Sequence, residues 1–435
     1  MSLKWNLTSE QQDAANKFFS FLISKEKEFY LFGSAGCGKT YLTQFFITEL
    51  FQQYKDSCKL FGIKQDLRQV MVTATTNKAV EVLSQGLNRQ DIDTVYAGFS
   101  VTVTEDFKTG ETYLRERNRE LIYSTLVVVD ECSMLSSKML EIIRKRLHST
   151  SKILFVGDSH QLAPVNEEPY WNNLPESCTV YLTKPVRNKN NQALVNLCSQ
   201  LRTTVATKEF KPISLVPGSV ELLDNQETID WLNNFNPNNQ KILCYTNSQV
   251  TKYIDFVSRS KGRGSGIELG SYYINNSNCI DRTKQTNEGG PHLFAEELVK
   301  VTALSSPNKY ISKQGREFSA RIARVNSVNG EKTMDVFVPV NQEEIKEHLQ
   351  DSKKNKEWID YFFFKNNIAD LRLPYASTVH KSQGNTYDEV LIDLDSFKSC
   401  WDPDVAARLL YVAVSRAKNR VLFHGSLPKR FGELV

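Results

Sequence analysis

At 435 residues the chain has room for two to four domains of ~150 residues each. Its formal charge of +4, from 54 basic and 50 acidic side chains, neither demands nor excludes a polyanionic partner, so basic residues must be judged where they cluster. Eight dispersed cysteines without a C-x-x-C pair, six histidines remote from them, the opening MSLKWNLTSEQQ and the lack of any apolar run near ~20 residues argue against a zinc site, a secretory leader and a membrane span, and predict a cytoplasmic protein with free thiols.

In chain order, LTSEQQDAANKFFSFLI reads as a helix, with Thr8 or Ser9 as its cap and Ala14, Phe18, Phe21 and Leu22 at helical spacing. The strand FYLF, a glycine loop and the helix TYLTQFFITELF follow, then the strand QVMVTAT and the helix NKAVEVLSQGL. TLVVVDE and KILFVGD are two further strands, and continuous apolar strands alternating with helices predict a parallel α/β sheet. Residues 99–117 break this rhythm. They alternate about a two-residue Thr109-Gly110 turn and predict an inserted β-hairpin, with Val101, Val103, Phe107 and Leu114 on one face and Tyr113, Arg115 and Arg117 on the other.

QKILCYTN starts a second α/β unit that resumes at LRLPYASTVHKSQG and ends with NRVLFHG. The stretch between, 258–372, opens on the flexible basic SRSKGRGSG and continues with LVKVTAL, FSARIARV and TMDVFVPV, then a charged helix near 341–366. It predicts an inserted small β domain. Within it, Lys309, Lys313, Arg316, Arg321 and Arg324 stand against the single acid Glu317, a local excess of four charges that suits an electrostatic groove for phosphates.

Gly33-Ser34-Ala35-Gly36-Cys37-Gly38-Lys39-Thr40 fits G-x-x-x-x-G-K-[ST] between a strand and a helix. Glycines let backbone N–H groups curl toward phosphate oxygens, Lys39 reaches the β- and γ-phosphates, and Thr40 ligates Mg²⁺. Val127-Val128-Val129-Asp130-Glu131 ends a strand on two carboxylates, Asp130 suited to hold Mg²⁺ through water and Glu131 to polarise an attacking water. GDSHQL (157–162) places Gln161 at another strand end as a γ-phosphate sensor. Cys37, inside the phosphate nest beside Lys39, is expected to carry a lowered thiol pKa and to react with alkylating agents.

These motifs, with STVHKSQGNTYDEVLI (377–392) and LLYVAVSRAKNRVLF (409–423), resemble those of superfamily 1 helicases, the T-x-H-K-S-Q-G form and the two insertions resembling the 5′→3′ branch and, within it, phage Dda-type DNA helicases. The resemblance covers nearly the whole chain and is weakest over 200–370. It implies an α/β fold of two RecA-like P-loop domains with ATP in their cleft, an inserted hairpin pin and an inserted SH3-like domain that braces it. The implied boundaries are 1–95 with 121–190 for the first RecA-like domain, 96–120 for the pin, 191–257 with 373–435 for the second, and 258–372 for the SH3-like insertion.

By the same resemblance Gln11 reads adenine, Arg187 and Arg416 reach the γ-phosphate, and Gln383 and Gly384 lie near the nucleotide. Thr75, Thr76 and Asn77, then Thr94 and Tyr96, then Thr378, His380, Lys381 and Ser382 fall where the family binds single-stranded DNA. The family usually has T-x-H-S where this chain has Thr94-Val95-Tyr96-Ala97, which makes Tyr96 a stacking surface. Tyr113 is the implied stacking residue of the pin and Phe107 its rival. The implied cofactors are ATP and Mg²⁺. The implied partners are single-stranded DNA, single-strand/duplex junctions and single-stranded-DNA-binding or replication proteins, with the chain acting as a monomer. Three readings stand: a DNA-unwinding motor, a translocase that displaces bound proteins, and an RNA-directed or nucleic-acid-independent P-loop ATPase.

Overall fold

The apolar strands of the first half assemble as their composition demands, in a sheet covered on both faces. The computed structural model describes residues 5–34, 36–164, 171, 174–184, 191–264, 266–283, 293–328 and 332–435. Two compact units result, one of Met1–Thr102, Leu114–Asp224 and Ser382–Val435, the other of Val103–Tyr113 and Asn225–Lys381. The fold is α/β, with parallel sheets of the RecA-like kind, a β-hairpin and an SH3-like antiparallel domain.

The first unit carries a six-stranded sheet in the order Ile92–Thr94, Gln69–Ala74, Thr125–Asp130, Lys152–Gly157, Glu28–Gly33 and Thr179–Leu182. Every pair is parallel. Alternate residues point to opposite faces, and two cores follow from that parity. Phe29, Leu31, Leu126, Val128, Leu154 and Val156 join one, Tyr30, Phe32, Val127, Val129, Ile153 and Phe155 the other. The first helix, Ser9–Ile23, begins with a capping box in which Thr8 and Gln11 each satisfy the other's backbone N–H. Later in the same unit, Val220–Leu223, Ala417–His424 and Tyr387–Asp393 form parallel pairs, and the helices Gln192–Thr207 and Pro403–Ser415 pack together.

In the second unit Gln240–Cys244 runs parallel to Ala376–Thr378. The β insertion is an antiparallel sheet in the order Asn308–Ile311, Glu317–Ser327, Leu298–Leu304, Tyr272–Asn275 and Leu371–Arg372, with Thr333–Pro339 also on Glu317–Ser327. Phe318, Phe337, Ile345, Phe364 and Ile368 make its core. The charged helix expected near 341–366 is two helices, Gln342–Lys354 and Trp358–Asn367, because Lys356 takes a left-handed φ of 59° between them. The basic run does not present five free cations. Lys309 pairs with Glu317 at 3.1 Å, Arg324 with Asp335 at 2.8 Å, and Arg316 with Glu357 and, at 3.5 Å, with Asp360.

The hairpin forms from Val101–Glu105 and Thr112–Glu116, but its turn is longer than expected. The Asp106 N–H donates to the Glu111 carbonyl at 2.8 Å, so four residues, 107–110, make the loop. The Asp106 carboxylate accepts the Lys108 N–H at 2.8 Å and stabilises that wider turn. Register moves by two residues, which leaves the face assignments intact. Val103, however, is exposed rather than core. In the second unit Phe107 meets Phe362 edge-on at 5.5 Å, Asn366 donates to Glu105 at 2.8 Å, and a Cβ on Gly110 would lie 2.5 Å from the Trp358 ring. Tyr113 is half exposed and free of such a ring partner among the described residues.

The first core should be sensitive to one ring. Phe18 is fully buried, stacks on Phe46 at 4.1 Å and meets Phe29 edge-on at 5.3 Å. Phe18→Ala is expected to destabilise the fold by about 3–5 kcal/mol, read from the denaturant midpoint, with Phe18→Leu costing less.

Candidate active site

The glycine loop turns between the strand Glu28–Gly33 and the helix starting at Lys39. Gly36 and Gly38 take φ of 79° and 85°, and no side chain caps the helix, so its first N–H groups stay available to an anion. Gly33 is required for space, since a Cβ there would lie 2.5 Å from Cys37 Sγ and 2.9 Å from Leu182 Cβ. Lys39 Nζ donates to the Gly33 carbonyl at 2.7 Å and the Ser34 carbonyl at 3.1 Å. Gln11 is buried and donates to the Cys37 carbonyl at 3.3 Å, tying the first helix to the loop. Ala35 lies outside the described residues.

The expected reactive thiol is not found. Cys37 is 1 % exposed and belongs to the apolar core. Burial raises its pKa, and the Lys39 charge offsets this only in part. The nest is built from backbone N–H groups; the Cys37 side chain leaves it for the core.

Asp130 and Glu131 end the strand Thr125–Asp130. Burial, then the Glu131 charge, push the Asp130 carboxyl up to about 7 against the pull of a backbone hydrogen bond from Glu131 and the charge of Lys39. Glu131 sits in the left-handed region at φ 50°, a conformation costing a non-glycine residue about 1–2 kcal/mol. Its carbonyl accepts both the Met134 N–H at 3.2 Å and the Thr75 hydroxyl at 3.1 Å. Thr40 and Asp130 offer hard oxygen donors of the kind Mg²⁺ takes, and a half-buried carboxylate pushed toward neutrality is one a dication would keep ionised. Among the described residues no three His, Cys, Asp or Glu side chains form a metal cage by themselves.

Asp158, fully buried at the next strand end, was missed as a site residue in the sequence and proves central. Burial alone would raise its carboxyl. Hydrogen bonding from His160, the Lys39 charge and the Tyr411 hydroxyl outweigh that and hold it at about 2. Tyr411 donates to Asp158 Oδ2 at 2.6 Å, and Arg408 donates to the Ser159 and Gln161 carbonyls at 2.8 Å each. Both come from the helix Pro403–Ser415, whose final turn leads into Arg416. No local signal in the sequence marks either residue, because their partners lie some 250 positions away. Gln161 is buried, and Gln383 donates to its Oε1 at 3.5 Å, so two glutamines expected near the nucleotide meet. Arg416 is 4 % exposed and bonds to the Val412 and Asn385 carbonyls at 3.1 Å and to the Ser415 hydroxyl at 2.8 Å. Gly384 takes φ 78°. Arg187 lies outside the described residues.

Parallel register brings the first group of expected DNA-binding residues to the same edge. Ala74 is opposite both Thr94 and Asp130, so Thr75–Asn77 and Thr94–Tyr96 emerge beside the carboxylates. Thr76 and Thr94 cap helices by accepting from the Ala79 and Ala97 N–H groups, each at 3.1 Å. Both hydroxyls therefore keep their own proton to donate. Asn77 is exposed and Tyr96 half-buried. Thr75 is the exception, its hydroxyl proton being spent on Glu131. In the second unit Thr378 is 6 % exposed and pairs with Cys244 in the sheet. His380 is half-buried and held below its ordinary pKa by that burial. Lys381 is engaged by the Asn276 carbonyl at 2.5 Å and by Glu296 at 3.5 Å. Ser382, in the first unit, is fully buried.

A glycine loop with its lysine, two strand-end carboxylates and an arginine-bearing helix define a P-loop nucleoside triphosphatase. Residues 6–214 match the AAA domain family and residues 373–423 the UvrD-like helicase C-terminal domain. The ATP-dependent DNA helicase dda of Enterobacteria phage T4 is 18% identical over 96% of this chain and 99% of its own length. The ATP-dependent DNA helicase Pif1 of Campylobacter jejuni is 23% identical over 90% and 86%. The structure of a Pif1 helicase from Bacteroides in complex with ADP-AlF3 and ssDNA aligns at 17% identity over 99% of this chain and 95% of that one, with a TM-score of 0.53. These likenesses agree with the resemblance to superfamily 1 helicases, in their 5′→3′ branch.

The buried Asp158 makes a measurable claim on stability. Its folded pKa of about 2 lies below its ordinary value of 3.8, so its contribution, about 2 kcal/mol, is present above pH ~4 and is lost as pH falls toward 2. Tyr411→Phe, which removes the 2.6 Å hydrogen bond, should move the acid unfolding midpoint upward; an unchanged midpoint would separate Tyr411 from the Asp158 charge.

Proposed function

We propose that the chain is an ATP-dependent DNA helicase that translocates 5′→3′ on single-stranded DNA and unwinds duplex ahead of it. The observation that carries this reading is the shared sheet edge, where Lys39 is electrostatically linked to Asp130, Glu131 and Asp158 and where Thr76, Asn77, Thr94 and Tyr96 emerge from the neighbouring strands. Nucleotide chemistry and strand binding then share one rigid frame. The names of the phage and Campylobacter relatives support the same activity.

Lys39 exchanges its two carbonyl acceptors for β- and γ-phosphate oxygens, which as anions make the stronger partners. Thr40 and Asp130, the latter through water, would hold Mg²⁺, which supplies charge neutralisation at the phosphates. Glu131 takes the proton of the attacking water. Arg416 and Arg187 stabilise charge on the transferring phosphoryl group, Gln161 and Gln383 contact it, and Gln11 reads adenine. Thr76, Asn77 and Thr94 bind backbone phosphates and Tyr96 stacks on a base; Thr378, His380 and Ser382 contribute from the second motif group. Tyr113, half exposed on the hairpin, stacks at the single-strand/duplex junction. The chain works as a monomer.

ATP hydrolysis measured with and without single-stranded DNA tests this directly. Strong stimulation is expected in the wild type, with a loss of about 10²–10⁴-fold in Glu131→Gln. Tyr113→Ala should retain DNA-stimulated hydrolysis and lose duplex unwinding. Stimulation by RNA in place of DNA would redirect the substrate assignment, and hydrolysis indifferent to both would remove the motor reading.

A further inference from the structure

Thr75 stands between the two chemistries of the sheet edge. Its N–H donates to the Asp130 carbonyl at 3.3 Å, continuing the parallel ladder by one residue. Its hydroxyl donates to the Glu131 carbonyl at 3.1 Å. One residue thus binds two consecutive carbonyls of the carboxylate turn. The second carbonyl is the pivotal one, because Glu131 holds φ 50° and ψ 39°, where only a surrounding structure keeps a residue with a Cβ. With Met134 bonding the same oxygen at 3.2 Å, the peptide after Glu131 is fixed from both sides. At the other end, Thr75 is followed at once by Thr76, which caps the helix Asn77–Leu87. Thr75 has no hydroxyl proton left for a phosphate.

We propose that Thr75 is a positioning residue for hydrolysis: by clamping the Glu131 peptide in its left-handed turn, it fixes the carboxylate that activates water, and it does so from the strand end that leads into the DNA-facing helix. Thr75 is not itself a phosphate ligand. The assignment rests on the role given to Glu131 above.

The test is a kinetic comparison of wild type, Thr75→Val and Thr75→Ser. Valine keeps the shape and the backbone N–H and removes only the hydroxyl, while serine keeps the hydroxyl. At saturating single-stranded DNA, Thr75→Val should lower kcat about fivefold, with KM for ATP and the half-saturating DNA concentration within about twofold of wild type. Thr75→Ser should restore kcat. Thermal unfolding of both variants checks that the fold is kept. A Thr75→Val enzyme with unchanged kcat overturns the proposal, and with a raised DNA requirement it makes Thr75 a direct phosphate ligand instead. A kcat loss that serine does not rescue also overturns it. These failures leave the helicase reading intact, whereas a wild type without DNA-stimulated hydrolysis overturns both.

Discussion

One cation among three carboxylates is the constraint around which the nucleotide site is arranged. Burial would lower the Lys39 pKa, and the neighbouring Cys37, then Asp158, Glu131 and Asp130, raise it. The carboxylates do not respond alike. Asp158 is held ionised at about 2 by His160, Lys39 and Tyr411 in spite of its burial, whereas Asp130, beside Glu131, rises to about 7. The lysine is thus balanced structurally by Asp158, and the Asp130–Glu131 pair is left short of positive charge.

The geometry behind this balance is a property of the parallel sheet. In such a sheet every strand delivers its carboxyl end to one edge, and short loops there can carry function on a rigid frame. The strands ending at Gly33, Ala74, Thr94, Asp130 and Gly157 do so here. Neighbours in the ladder become neighbours in chemistry, as Ala74 opposite Asp130 places Thr75 against Glu131. The left-handed turn at Glu131 lifts the chain out of the strand at that edge.

What could be read in the sequence was local and periodic. The strands and helices around the P-loop, the three antiparallel runs of the insertion and the phosphate loop itself are encoded in contiguous stretches. Three errors share another cause, in that they depended on what a residue meets. Cys37 sits in a phosphate-binding loop but turns its side chain to the core, and a loop motif does not say which residues face inward. The basic run of 309–324 keeps only a small part of its excess because Asp335, Glu357 and Asp360 come from beyond the window in which charge was counted. The hairpin turn widened because Asp106 accepts backbone N–H groups, an option that outweighed the Thr-Gly signal. Tyr411 and Arg408 were invisible for the same reason, being ordinary members of an apolar helix until Asp158 and its loop fold against them.

That helix also explains how an arginine can wait for a substrate without being trapped. Arg408 and Tyr411, one turn apart, fasten the helix to the loop that contains Asp158 and Gln161. Arg416, at its end, is thereby held near that loop by its own backbone. Its guanidinium rests on two carbonyls and a hydroxyl, all neutral, and pairs with no carboxylate among the described residues. Lys39 rests in the same way on the carbonyls of Gly33 and Ser34. A phosphate oxygen adds the attraction of opposite charges that a neutral carbonyl lacks, so both side chains can leave their resting contacts for a γ-phosphate at a net gain. A carboxylate partner would have ordered them equally well and opposed that exchange. The neutral rest positions keep the cations desolvated, oriented and available, while Asp158, held well below its ordinary pKa, is already committed to Tyr411 and His160.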